Sequence, residues 1–558
     1  MKPSWTIGNE GLGRWAIVVI LLCFFAGSAN TAPTIKADPP AQTTYRNPVL
    51  FADYSDPDAI RVGDDFYLVA SSFSSVPGLP ILHSKDLINW SIIGHAAPRL
   101  PSPTFDTPQH GKGIWAPSLR HHAGLFWIYV GDPDQGIYVT TARDPRGPWS
   151  PLALVKPVLG AIDPCPLWDE DGKIYLVHAW AKSRAGFNSV LTVTPLSADG
   201  LHTDGKDVQV FDGHAAHPTI EGPKFYKRNG WYYIFAPAGG VATGWQTVLR
   251  SKNVLGPYED RIVLRQGRSA VNGPHQGAWV DTPNGDSWFF HFQDRGAYGR
   301  IVHLQPMTWK SDWPVMGDDP DGDGTGEPVE TFRKPTIRSG AALTSAMQTS
   351  DDFAAKALGL QWQWNANPRS EWMSLSARPG WLRLSAVARP QGSASVFGLG
   401  NLLLQKFPAE SFTVTARLDL AGLALGERAG LVIAGRDTAS ISVVREAVQL
   451  GVRVAVGRKV DKDGVDVDGP ITPIQGSTVW LRARIEKAEQ ANPAEATPPA
   501  RFAFSTDGVR FQDLGDTFLV QPGVWVGARI GLIASAPASS ETPRGHIDVD
   551  WFRISETH

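Results

Sequence analysis

The chain has 558 residues, 42% of them hydrophobic and 19% charged, with a net charge of −3. That length asks for about two to four domains, and the charge leaves no basic stripe for nucleic acid. The 21 Trp, 24 Phe and 11 Tyr beside 56 Gly and 44 Pro suit an all-β protein of short strands and many turns.

Residues 1–32 read as a secretory signal. Lys2 and Arg14 precede an apolar run, Ala16 to Ala26, and small residues at Gly27-Ser28-Ala29 or Asn30-Thr31-Ala32 offer a cleavage site. The run is short for a membrane span. Cys23 follows Leu22, where a lipid anchor needs a small residue. The expectation is a protein exported to the periplasm or beyond, with no membrane attachment once the signal is removed. Cys165 is then the only cysteine, so no intramolecular disulfide forms and the cores must carry the stability.

Residues 33–44, rich in Pro, Ala and Thr, predict a flexible leader. From Tyr45 a repeat begins. Apolar runs follow a Gly or acidic turn at Asp65–Val69, Gly124–Tyr129, Gly172–Val177, Gly230–Phe235 and Gly285–Phe290. A second element, a polar turn before an aromatic residue, recurs at His83–Trp90, Thr141–Trp149 and Ser251–Tyr258. Starts roughly 50 to 60 residues apart fit four-stranded blades with long loops, which predicts a five-bladed β-propeller over 45–335. A Gly/Asp-rich stretch then breaks the pattern, and 336–350 reads as a linker. Over 351–558 alternating strands such as Trp381–Leu384, Phe412–Arg417, Ala429–Ile433 and His546–Ile554 predict a β-sandwich.

Three carboxylates keep phase with the blades: Asp56 before Pro57, Asp163 before Pro164, and Glu221 before Gly222-Pro223. Each stands where the innermost strand of a blade should begin, and innermost strands ring the central channel. A single Asp-Pro is ordinary turn chemistry, but three in phase point to a shared mouth. Glu221 adjoins the apolar run Trp231–Phe235, and desolvation there favours its neutral form, as a general acid requires. The bland alternative pairs Glu221 with Lys224.

In these motifs, and in Tyr45-Arg46-Asn47-Pro48, Phe73-Ser74-Ser75-Val76-Pro77-Gly78 and Ala297-Tyr298-Gly299-Arg300, residues 45–335 resemble glycoside hydrolase family 43. Residues 351–558, with Leu358–Asn365, resemble the companion domain of its β-xylosidase branch. The resemblance implies an all-β molecule, a five-bladed propeller followed by a concanavalin A-like sandwich. It implies Asp56 as general base, Glu221 as general acid and Asp163 as the residue that tunes and orients the acid, with Asp58 the rival base. Arg300 matches an arginine directed at the terminal sugar, Arg295 being its rival, and Phe73, Trp115 and Trp245 are candidate pocket walls or plain core.

No cofactor is required on this reading, and a structural calcium is the one metal with a candidate place. His275 matches a channel histidine sometimes near calcium. Asp319 to Glu330 has the D-x-D-x-D-G spacing of a calcium loop without its flanking helices, so a solvated acidic linker is preferred there. The expected activity is inverting, exo-acting hydrolysis of terminal β-xylosyl or α-L-arabinofuranosyl linkages in hemicellulose oligosaccharides derived from xylan or arabinoxylan. The rival is a non-catalytic carbohydrate-binding propeller on a lectin-like sandwich. The aromatic segment Leu360–Trp372 predicts a large interdomain interface, with one loop of the sandwich near the mouth.

Overall fold

The computed structural model describes residues 43–337, 347–538 and 545–556. The signal, nearly all of the leader and the middle of the linker lie outside the described residues. Among those described, no helix is long and apolar enough to cross a membrane.

Five four-stranded antiparallel sheets follow one another in sequence order and form the propeller blades. Their innermost strands are Asp58–Val62, Pro117–His122, Ala161–Trp168, Lys224–Arg228 and His275–Asp281. The aromatic runs expected from the sequence are the second strands, at Asp65–Val69, Leu125–Asp132, Ile174–Trp180, Trp231–Ala238 and Ser287–Asp294. They sit between two hydrogen-bonded neighbours, so both faces pack on adjacent blades and continuous apolar runs are tolerated. Aromatic rings fill the spaces between blades. Tyr226, Phe235, Trp279 and Trp309 interlock between the fourth and fifth, with Trp279 and Trp309 centroids 5.0 Å apart. The polar-turn motif joins third and fourth strands at the outer edge of three blades.

The ring is closed by chain ends. Thr44–Arg46 pairs antiparallel with Thr331–Arg333, and Leu50 bridges to Val302 of the fifth blade. The Asp319 loop is a hairpin tip. Asp318 and Glu327 exchange backbone hydrogen bonds, and Asp319 accepts from Lys310 and the Gly324 N–H. No group of three or more His, Cys, Asp or Glu side chains placed to share a metal ion occurs among the described residues.

The second domain is a sandwich of a nine-stranded and a seven-stranded sheet. Strict alternation along Phe412–Asp419 and Thr478–Ile485 sends Phe412, Val414, Leu418, Val479, Leu481 and Ile485 into the core. The strand Arg529–Ala536 is buried throughout its length. The segment after the linker does pack on the propeller. Trp364 and Val76 exchange backbone hydrogen bonds, and the Asn367 side chain pairs with both backbone groups of Leu100. Trp362 instead turns into the sandwich, edge-on to Phe552.

Candidate active site

The backbone turns out of its strand at the same place in four of five blades. Asp56 (φ +55°), Asp163 (φ +56°), Gly222 (φ +57°) and Gln276 (φ +36°) all lie in the left-handed region at the start of an innermost strand. The register shifts across Asp163 and across Gln276. Non-glycine residues held there cost of order 1 kcal/mol or more each, and such strain collects where a side chain must be aimed. In the fourth blade the turn falls on Gly222, one residue after Glu221. A Cβ at Gly222 would stand 2.6 Å from Gln276 Cγ, so glycine serves both the φ and the contact.

Asp56 is 3% exposed. Its carboxylate accepts from Ser71 Oγ at 2.7 Å, Ser55 Oγ at 3.0 Å and Arg300 Nη1 at 3.1 Å. All these partners donate, so both oxygens serve as acceptors. Arg300 also donates to Ser55 Oγ, and its guanidinium lies over Phe292. Burial opposes the charge on Arg300, but Asp56, Asp294, Asp53 and Glu221 outweigh it and hold its pKa above the usual arginine range.

Glu221 is anchored by its N–H to the Pro237 carbonyl, and its side chain is 30% exposed. Its Oε1 lies 2.9 Å from Nε2 of the fully buried His275. Lys224, the bland partner, donates instead to the Pro117 carbonyl. Asp163 Oδ2 accepts the Gly222 N–H at 2.8 Å, which ties the third blade to the residue after Glu221. Burial pushes the Asp163 carboxyl well above the usual range, followed by repulsion from Glu221 and then from Asp56. The three carboxylates thus lie close enough for Glu221 and Asp56 both to act on Asp163, Glu221 the more strongly.

The rivals go elsewhere. Asp58 is fully buried and accepts from the Leu119 N–H and Arg120, whose other nitrogen reaches Cys165 Sγ. It is a structural ion pair of the channel. Arg295 pairs with Glu410 of the sandwich at 2.7 Å. His275, the candidate calcium contact, turns its Nε2 to Glu221.

Phe73 (φ +49°), which is buried, and Trp115 meet with centroids 6.1 Å apart. Trp245 does not join them. Its indole donates to His217 Nδ1, and no described aromatic pair links it to Phe73 or Trp115. The missing wall comes from the sandwich: Trp525 stands 6.2 Å from Trp115 and 6.0 Å from the Arg300 guanidinium, and is 48% exposed. Its loop, rather than the Leu360–Trp372 segment, reaches the mouth, and Val524 packs on Gly111. Nothing local in the sequence marks a tryptophan so distant in the chain as part of a propeller pocket. Ser55 and Ser71 were equally unmarked.

Residues 45–314 match the description "Glycosyl hydrolases family 43", and residues 350–555 match "Beta xylosidase C-terminal Concanavalin A-like domain". The chain is 41% identical to a protein of Xylanibacter ruminicola, over 88% of this chain and 86% of that one. It is 33% identical to a beta-xylosidase of Formosa agariphila, covering 91% and 90%. A non-reducing end alpha-L-arabinofuranosidase of Bacteroides ovatus is 30% identical, covering 92% and 95%.

Proposed function

The chain belongs to glycosyl hydrolase family 43, and from that premise we propose that it is an exported, inverting exo-glycosidase that removes single pentose units from hemicellulose oligosaccharides. One observation carries the reading: Asp163 accepts the N–H of the residue after Glu221, while Asp56 is gripped by Arg300. In this scheme Asp56 takes a proton from water as the oxygen attacks the anomeric carbon. Glu221 gives its proton to the glycosidic oxygen as that bond breaks. An inverting pair stands roughly 6.5 to 9.5 Å apart to leave room for the water. Asp163 holds the backbone beside the acid, through the Gly222 N–H that its carboxyl accepts. Arg300 offers its remaining donors to sugar hydroxyls.

We take β-linked xylose as the first substrate, since a beta-xylosidase is among the relatives. The arabinofuranosidase relative keeps α-L-arabinofuranose as the second. Trp525 supports exo action, because it places a partly exposed ring from the second domain across the pocket wall. The apolar run Ala16–Ala26 supports export. The experiment is hydrolysis of 4-nitrophenyl β-xyloside and α-L-arabinofuranoside, with the released sugar followed by proton NMR from the first minute. Inversion yields α-xylose from the β-xyloside. Initial release of β-xylose would overturn the assignment.

A further inference from the structure

Asp53 is neither the acid nor the base, yet its carboxylate is 3% exposed at the meeting of both domains. Oδ1 accepts the backbone N–H of Arg300 at 2.9 Å, and Oδ2 accepts the backbone N–H of Gly527 at 2.9 Å. The first donor belongs to the residue that grips Asp56. The second lies two residues beyond Trp525, in the same sandwich loop. The three backbones are in close contact. A Cβ on Gly299 (φ +84°) would lie 2.5 Å from Asp53 Cγ, and one on Gly527 would lie 2.7 Å from the Gly299 nitrogen. Burial lowers the pKa of two cations of the sandwich, buried Arg529 and half-buried Lys406, and the charge of Asp53 partly opposes that shift in both.

We propose that Asp53 is a positioning residue, whose two carboxylate oxygens fix Arg300 and the Trp525 loop relative to each other and so set the pocket for the terminal sugar. The proposal rests on the glycosidase reading of that pocket. The chemistry selects a carboxylate. Two N–H groups converge on one side chain, and an ionised carboxylate offers acceptors to both. Asparagine keeps one acceptor and turns an NH2 toward the other donor. A residue that merely filled space would alter stability and leave sugar binding untouched.

The test is a double-mutant cycle on the full chain with 4-nitrophenyl pentosides and xylose inhibition, using Asp53→Asn, Trp525→Ala and the double variant. Asp53→Asn is expected to raise KM and the xylose inhibition constant together by about tenfold, with kcat changed by less than about threefold, as for lost uniform binding. In the Trp525→Ala background the same substitution is expected to cost clearly less. An unchanged KM, or effects that multiply independently, would overturn the proposal. If Asp53→Asn fails to fold, Asp53→Glu keeps the buried charge and displaces both acceptors. The same rise in KM is expected there, and an unaltered KM refutes it. A wild-type chain inactive on both pentosides removes the glycosidase reading and this inference with it. An active wild type with an indifferent Asp53 removes the inference alone.

Discussion

Glu221 Oε1 and His275 Nε2 stand 2.9 Å apart, although 54 residues and a blade boundary separate them. The histidine is fully buried and the glutamate partly open, so the ring orients the carboxyl while the carboxyl faces the pocket. Glu221→Gln should lose nearly all activity on xylobiose and far less on an aryl xyloside whose leaving group hardly needs a proton. His275→Ala should reproduce part of that pattern. Adding it to Glu221→Gln should cost little more, because both act through one proton. Equal losses on both substrates for Glu221→Gln would mean that the acid lies elsewhere.

Arg300→Gln should damage both chemistry and fold. It leaves Asp56 buried with two serines and no cation, and breaking a buried pair costs about 3–5 kcal/mol. The expected outcome is a lower Tm together with a loss in kcat/KM of at least about a hundredfold. Asp56→Asn should be nearly inactive even on activated aryl glycosides, since water still needs a base, while unfolding less readily than Arg300→Gln. Comparable residual activity in both variants would argue against Asp56 as the base.

Asp163 predicts a pH effect on stability. Its folded-state pKa is raised, by burial first and then by Glu221 and Asp56. The folded protein therefore holds this proton more tightly than the unfolded chain, and stability falls as pH climbs from the ordinary aspartate value toward the raised one. Asp163→Asn keeps an acceptor for the Gly222 N–H and cannot titrate. Its Tm advantage over wild type should be smallest in acid and grow toward neutrality, to about 1–3 °C, while activity falls. A Tm difference independent of pH would falsify this account.

Removing residues 350–558 should leave an insoluble or unstable propeller. Ala297 and Tyr298 of the propeller lie in the same buried cluster as Leu418, Leu431 and Phe552 of the sandwich. Arg529 reaches Ser75, and Val76 is strand-paired to Trp364. A soluble truncation that hydrolyses xylobiose and longer chains like the full protein would contradict an integral second domain. Within the intact chain, Trp525→Ala should lower kcat/KM on xylobiose more than on longer oligosaccharides, read by product chromatography.

The propeller was legible because its signal is local and repeated: a turn, then an apolar run, five times. The carboxylates were legible for the same reason, since Asp56 and Asp163 occupy one structural position in two blades. Glu221 is displaced by one residue because glycine takes the left-handed turn in its blade. What escaped were contacts made across the chain. Trp245, a candidate wall or plain core, spends its indole on His217 in the loop that leads into its blade. Trp525 and Asp53 acquire their roles only from the docking of a second domain, which no spacing in either stretch encodes. Asp58, the rival base, is taken up by Arg120 on the innermost strand of the next blade, a partner that no local spacing announces.

The pairing of Thr44–Arg46 with Thr331–Arg333 means that the first strand of the propeller waits for its last. Closing so long a loop is entropically costly and late. The same order governs the chemistry, because Asp56 is made with the first blade and its cation, Arg300, with the fifth. A chain released after four blades carries all three carboxylates and no counter-ion for the base. During refolding, recovery of strand content therefore precedes recovery of catalysis, and the enzyme's own turnover times the moment at which the ring shuts.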